Sequence, residues 1–124
     1  MINPKELRIG NIINSSGLAM VVLRIYEDRV FCHEYEPKTI LEVPKDIDAN
    51  PIPLTHEILE KAGGQFCDGL GSKWYIFVNN QYNVVIDLIG RGYFIKDSHS
   101  ELQSVHQLQN LYFALTGEEL EIKL

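Results

Sequence analysis

Short β-prone, apolar runs punctuated by turn chemistry fill the first half of the chain. Residues 11–14 are brief and apolar and are followed by Ser15-Ser16-Gly17, a turn; residues 18–26 form a longer run with Val21, Val22, Leu23 and Ile25. Glu27-Asp28-Arg29 turns the chain back into residues 30–35, and Glu36-Pro37-Lys38 leads to residues 39–43. Four such strands predict a meander. Because each is short, a small, strongly bent sheet or a partial barrel is the natural way for them to enclose apolar side chains. Residues 44–53 hold three of the five prolines together with Asp46, Asp48 and Asn50, which predicts an extended link.

Beyond the link the pattern changes. Thr55 has the chemistry of an N-cap and Glu57 sits in the favourable first turn of a short helix over 56–62, with Ile58, Leu59 and Ala62 as its apolar side. Gly63-Gly64 ends it. Residues 64–72 read as a glycine-rich loop, and the β-prone runs 73–78, 82–89 and 93–96 are separated by Asn79-Asn80-Gln81 and Gly90-Arg91-Gly92. They predict a three-stranded antiparallel meander. A longer helix then carries Val105, Leu108, Leu111, Tyr112 and Leu115 on one face, at the spacing of a core-facing stripe. Ser98 with Glu101, or Ser100 with Gln103, fits a capping box, and Gly117 stands where a left-handed residue ends a helix. Leu120, Ile122 and Leu124 then alternate with Glu119, Glu121 and Lys123, the pattern of a short half-buried strand.

That last helix is unusual in carrying no Asp, Glu, Lys or Arg between Gln103 and Thr116. A surface helix normally sets charge opposite its apolar stripe, whereas here the opposite face gathers His106, Gln109, Asn110 and Phe113. These four residues either meet the N-terminal sheet within the chain or form a binding face for a protein partner or a second copy. Packing between two layers explains the missing charge without a partner and is the favoured expectation.

A length of 124 residues suits one domain, with 1–53 as a β-rich subregion and 54–124 as helix, meander and C-terminal helix. With 45% hydrophobic and 23% charged residues the chain has the balance of a globular protein. No run reaches the length of a membrane span, and the start Met-Ile-Asn-Pro-Lys-Glu lacks the features of a signal peptide, so a cytoplasmic location without membrane association is expected. Nonspecific binding of DNA or RNA rests on clustered cations. A net charge of −6 with scattered Lys and Arg argues against it.

Candidate chemistry is sparse. The segment Gly64-Gln65-Phe66-Cys67-Asp68-Gly69-Leu70-Gly71-Ser72-Lys73 lacks the Gly-Lys-Ser/Thr ending of a phosphate loop and leads from a helix into a strand, the wrong order for such a site. His33, His56, His99, His106, Cys32 and Cys67 show no metal-ligand spacing, so neither metal nor cofactor is expected. Two cysteines do not suggest a disulfide scaffold. Cys67 with His99 or His106, oriented by Asp68 or Asp97, is a conceivable nucleophile and base, yet spacing favours no particular combination. An aromatic-lined pocket for a small ligand could instead be assembled from Trp74, Tyr75, Tyr82, Arg91 and Tyr93.

Three blocks carry a resemblance. Leu7-Arg8-Ile9-Gly10-Asn11, Pro51-Ile52-Pro53-Leu54-Thr55, and Val105-His106-Gln107-Leu108-Gln109-Asn110-Leu111-Tyr112 running on to Gly117-Glu118-Glu119-Leu120 resemble the signatures of a family of small uncharacterised bacterial proteins, often encoded in phage-like or mobile regions. The resemblance spans nearly the whole chain and implies no established activity. Gly63-Gly64-Gln65-Phe66 departs from it, standing where a tighter Leu-Gly-Phe helix end is expected. The sequence therefore predicts an α+β protein whose C-terminal helix packs on sheet. It favours a noncatalytic binding or adaptor role, with a small-ligand binder as the alternative and an enzyme of unidentified class third.

Overall fold

A computed structural model describes residues 2, 6–15, 17–26, 29–35, 40–44, 50–69, 71–78, 81–96 and 100–122. The fold is α+β, with two antiparallel sheets, a short helix and a longer C-terminal helix. The chain divides into two compact units, Met1–Ile52 with Ser104–Asn110, and Pro53–Gln103 with Leu111–Leu124.

The first unit is built on the expected meander: β1 (Ile12–Ser15), β2 (Leu18–Ile25), β3 (Arg29–Glu34) and β4 (Ile40–Pro44) pair in sequence order. Facing pairs place side chains on one side of a sheet, so Ile13 opposite Met20 and Val22 opposite Cys32 build a common core. Ile2, Leu7 and Val30 complete it. The register of β2 on β3 shifts between Val22 and Arg24, which bends the sheet locally. Among the described residues β1 and β4 do not pair, so the four strands form an open sheet. Asn50 in the expected link is bridged to β1, its N–H and C=O both bonded to Asn14 at 2.9 Å.

The second unit contains α1 (His56–Lys61) and a meander of β5 (Gly64–Gly69), β6 (Gly71–Val78), β7 (Gln81–Ile89), β8 (Gly92–Ile95) and β9 (Glu101–Leu102). Thr55 caps α1 by accepting the Ile58 N–H at 3.2 Å, and Gly63, at φ 85°, takes the chain out of it. Two elements differ from those the sequence predicts. Residues 64–69 are a strand rather than loop, because Gly64 through Gly69 pair with Ile76 back to Gly71 in a tight hairpin. Glu101–Leu102 is a strand bonded to Tyr93 and Phe94 rather than the capped start of a helix, so the meander has five strands.

The long helix, α2 (Val105–Thr116), accordingly begins after Ser104. Gly117 ends it as expected, with φ 74° and its N–H bonded to Phe113 O at 2.8 Å. Beyond it no strand occurs among the described residues, although Leu120 and Ile122 are buried in the expected alternation. Asn79, Asn80, Ser98 and Leu124 lie outside the described residues.

One face of the five-stranded sheet is the core of its unit. Trp74, Ile86 and Ile95 lie opposite one another across β6, β7 and β8, and Leu88, Tyr93 and Leu102 follow in the same manner. Leu59 and Ala62 of α1 are buried in this unit, as are Leu54, Tyr112, Leu120 and Ile122. The other face carries Lys73 beside Asp87, an ion pair at 3.0 Å between directly facing residues.

Candidate functional site

The second unit holds an open cleft of about 470 Å³ lined by His56, Glu60, Gly64, Gln65, Phe66 and Trp74. Two elements set its walls. His56 and Glu60 are four residues apart and share one face of α1, and Gly64, Gln65 and Phe66 open β5. The two walls come close because Gly64 has no side chain: a Cβ there would lie 2.7 Å from Leu59 O and 3.0 Å from Trp74 Cε3. Glycine is what lets the helix exit meet the strand.

Aromatic rings form the floor. His56 meets Phe66, Trp74 and Tyr93 edge-on, with centroids 5.5, 5.4 and 5.9 Å apart, and Phe66 lies 5.3 Å from Trp74. Such contacts are favourable by about 0.5–1.5 kcal/mol each beyond the area they bury, so the rings form a preformed surface. Trp74 is buried, whereas Phe66 keeps 43% of its surface exposed. The Trp74 indole N–H finds no acceptor among the described residues. Burial pushes the Tyr93 phenol up. Glu60 is exposed at the rim and has no ion pair among the described residues, since neighbouring Lys61 is engaged by Glu57 at 3.0 Å.

Of the residues expected to line a pocket, Trp74 and Tyr93 do meet, through His56. Tyr75 faces Val85 and Gln65 on the other side of the sheet, and Arg91 is exposed in the turn between β7 and β8. The side chain of Tyr82 lies outside the described residues. His56, Glu60 and Phe66 were absent from the expected set. The sequence signal that could have pointed to them is the i, i+4 pair on α1 followed by Gly63-Gly64, which allows close approach to the next element.

The uncharged face of α2 is placed otherwise. Gln109, 2% exposed, accepts the Ile12 N–H through Oε1 at 2.8 Å and donates through Nε2 to Gly10 O at 3.1 Å. Asn110 Oδ1 accepts from Asn11 Nδ2 at 2.8 Å and from Arg8 Nε at 3.2 Å, and its Nδ2 donates to Glu6 O at 2.8 Å. These amides bind the backbone entering β1 as a neighbouring strand would, and a charged side chain could not both donate and accept in this way. His106 is buried, with Nδ1 3.0 Å from Ser104 Oγ and Nε2 without a partner among the described residues. Burial lowers its pKa, partly opposed by the Glu6 carboxylate. Leu115 is 57% exposed, contrary to its expected place in the core-facing stripe, and Phe113 of the opposite, uncharged face is 39% exposed, so the last turn of α2 is not core.

For the other candidate chemistry, the Cys32 thiol is fully buried and pushed up to about 11, which keeps it protonated at neutral pH. Cys67 is exposed on β5, while Asp97 and His99 lie outside the described residues. Asp68 accepts the Ser72 hydroxyl at 2.9 Å. Among the described residues no three His, Cys, Asp or Glu side chains gather as a metal site, and no helix is long and apolar enough to cross a membrane.

The fold and the cleft thus define a small α+β protein with an aromatic, acid-rimmed recess between a short helix and a strand. No protein-family model, curated protein or solved structure matches the chain.

Proposed function

We propose that this is a noncatalytic binding protein of the cytoplasm and that its binding surface is the cleft beside α1. The observation that carries the reading is Phe66: a large apolar ring left 43% exposed against a buried tryptophan and an imidazole, in a recess of about 470 Å³. A partly exposed aromatic ring in a concave site gains by being covered. The amide face of α2 is already committed to hydrogen bonds with residues 6–12, which leaves it little capacity for a partner. A bacterial, phage-related origin belongs to the same proposal and is supported by the three sequence blocks that resemble such a family.

Trp74 is the one tryptophan of the chain, so its fluorescence reports on the cleft alone. Titration with the N-acetyl amides of leucine, tyrosine and arginine should give a saturable change with at least one of them, lost in Phe66→Ala. A flat response to all three from folded protein would refute the cleft as a binding site.

A further inference from the structure

The geometry points to an extended peptide as the occupant, adding as a strand to the edge of β5 opposite β6, which no described strand pairs, and placing an arginine or lysine side chain in the cleft. This inference rests on reading the cleft as the binding site and specifies what it binds. β5 is the outermost strand of its sheet, bonded to β6 alone among the described strands. Every second residue of an antiparallel strand turns its N–H and C=O away from a given neighbour, so β5 offers a row of backbone groups pointing off the sheet. Native edges are usually blunted by Pro, Lys or a bulge. Gly64-Gln65-Phe66-Cys67-Asp68-Gly69 contains no Pro or Lys, carries Asp68 as its one charged side chain, pairs with β6 without a register shift, and is exposed from Gln65 to Gly69.

Charge selects the side chain. The cleft sets the faces and edges of Phe66, Trp74 and His56 beside the Glu60 carboxylate, and β5 carries Asp68 two residues beyond Phe66 on the same face. A cation with an alkyl stem suits that combination, because the ring quadrupoles and the carboxylate attract the charge while the stem covers apolar surface. An acidic side chain would face like charge there. A second copy of the chain is a poorer occupant, since it would bring its own Asp68 and a net charge of −6 to the same edge. Strand addition supplies affinity from the backbone, and the pocket supplies selection for one residue of the peptide.

The test compares three probes on the intact protein by Trp74 fluorescence and amide hydrogen exchange: N-acetyl-arginine amide, the capped peptide Thr-Val-Arg-Val-Thr, and the same peptide N-methylated at alternate residues. The peptide should bind about tenfold or more tighter than the single residue, and N-methylation should return it to the single residue's affinity, because strand pairing needs the peptide N–H groups. Exchange of the amides of residues 64–69 should slow with the peptide alone. Replacing its arginine by citrulline should cost most of the affinity, and Glu60→Gln should weaken the arginine peptide while leaving the citrulline one unchanged. If the single residue binds and the peptide binds no tighter, strand addition is overturned and the cleft reading stands. Equal binding of the citrulline peptide overturns the cationic selection. Absence of any response sinks both readings, and a stable dimer whose residues 64–69 are protected without peptide shows that a second copy covers the edge.

Discussion

Gln109 shows how one side chain can replace a missing ladder partner. Its carbonyl takes the Ile12 N–H and its amide reaches Gly10 O, so two backbone groups of the first unit depend on one residue that is 2% exposed. Gln109→Ala should cost about 1–3 kcal/mol, the penalty of leaving buried groups unpaired. Leu108, fully buried, should cost about 2–5 kcal/mol on truncation to Ala. Leu115, at 57% exposure, should cost within about 0.5 kcal/mol. Urea denaturation of the three variants checks the order. His106 adds a pH dependence. Its folded pKa lies below the ordinary 6.5, so the folded state resists protonation. Its contribution to stability is complete above about pH 6.5 and is lost as pH falls toward the lowered folded value. Wild type should therefore weaken as pH falls below about 6.5, and His106→Asn should show a flatter profile there.

At the scale of elements, the junction of α1 with β5 is the most constrained place in the second unit. Gly64→Ala would drive a Cβ to 2.7 Å from Leu59 O, a backbone atom that cannot swing aside, and should destabilise by about 1–3 kcal/mol as overpacking does. Thr55→Ala removes only the cap on the Ile58 N–H and should cost about 0.5–2 kcal/mol. Thermal melts of both variants test this ranking. The strands β1 to β4 and β6 to β8 and the helix α1 were legible within a residue or two, because alternation and turn residues bounded them. β5 was not legible. Three glycines in and next to it dilute the apolar alternation, and its pairing with β6 is a property of the hairpin rather than of its own composition. β9 is two residues long, too short to show any period, and the serines near it imitate a capping box. Periodicity assigned the faces of α2, but it could not show that burial stops before Phe113 and Leu115. Trp74 in the cleft and Tyr93 behind His56 are legible as aromatic strand residues, whereas His56 and Phe66 are not, because their meeting depends on the close approach that Gly64 permits.

For the whole molecule, the charge balance makes a prediction independent of any site. With 17 acidic against 11 basic residues the chain can release few counterions from a duplex, so gel-shift titration at physiological salt should show no affinity for DNA of arbitrary sequence. Micromolar binding that falls steeply with salt would contradict that. Under the proposed reading recognition belongs to the aromatic cleft of the second unit, while Gln109 and Asn110 of the uncharged helix face are internal structure of the first. One titration reads both. In isotopically labelled protein the Trp74 indole N–H and the side-chain amides of Gln109 and Asn110 give separate signals, followed together as the capped peptide Thr-Val-Arg-Val-Thr is added. A saturable shift of the Trp74 signal, absent in Phe66→Ala, is expected, with the Gln109 and Asn110 signals unmoved. Shifts confined to Gln109 and Asn110, with Trp74 silent, would contradict it and return the binding surface to the helix.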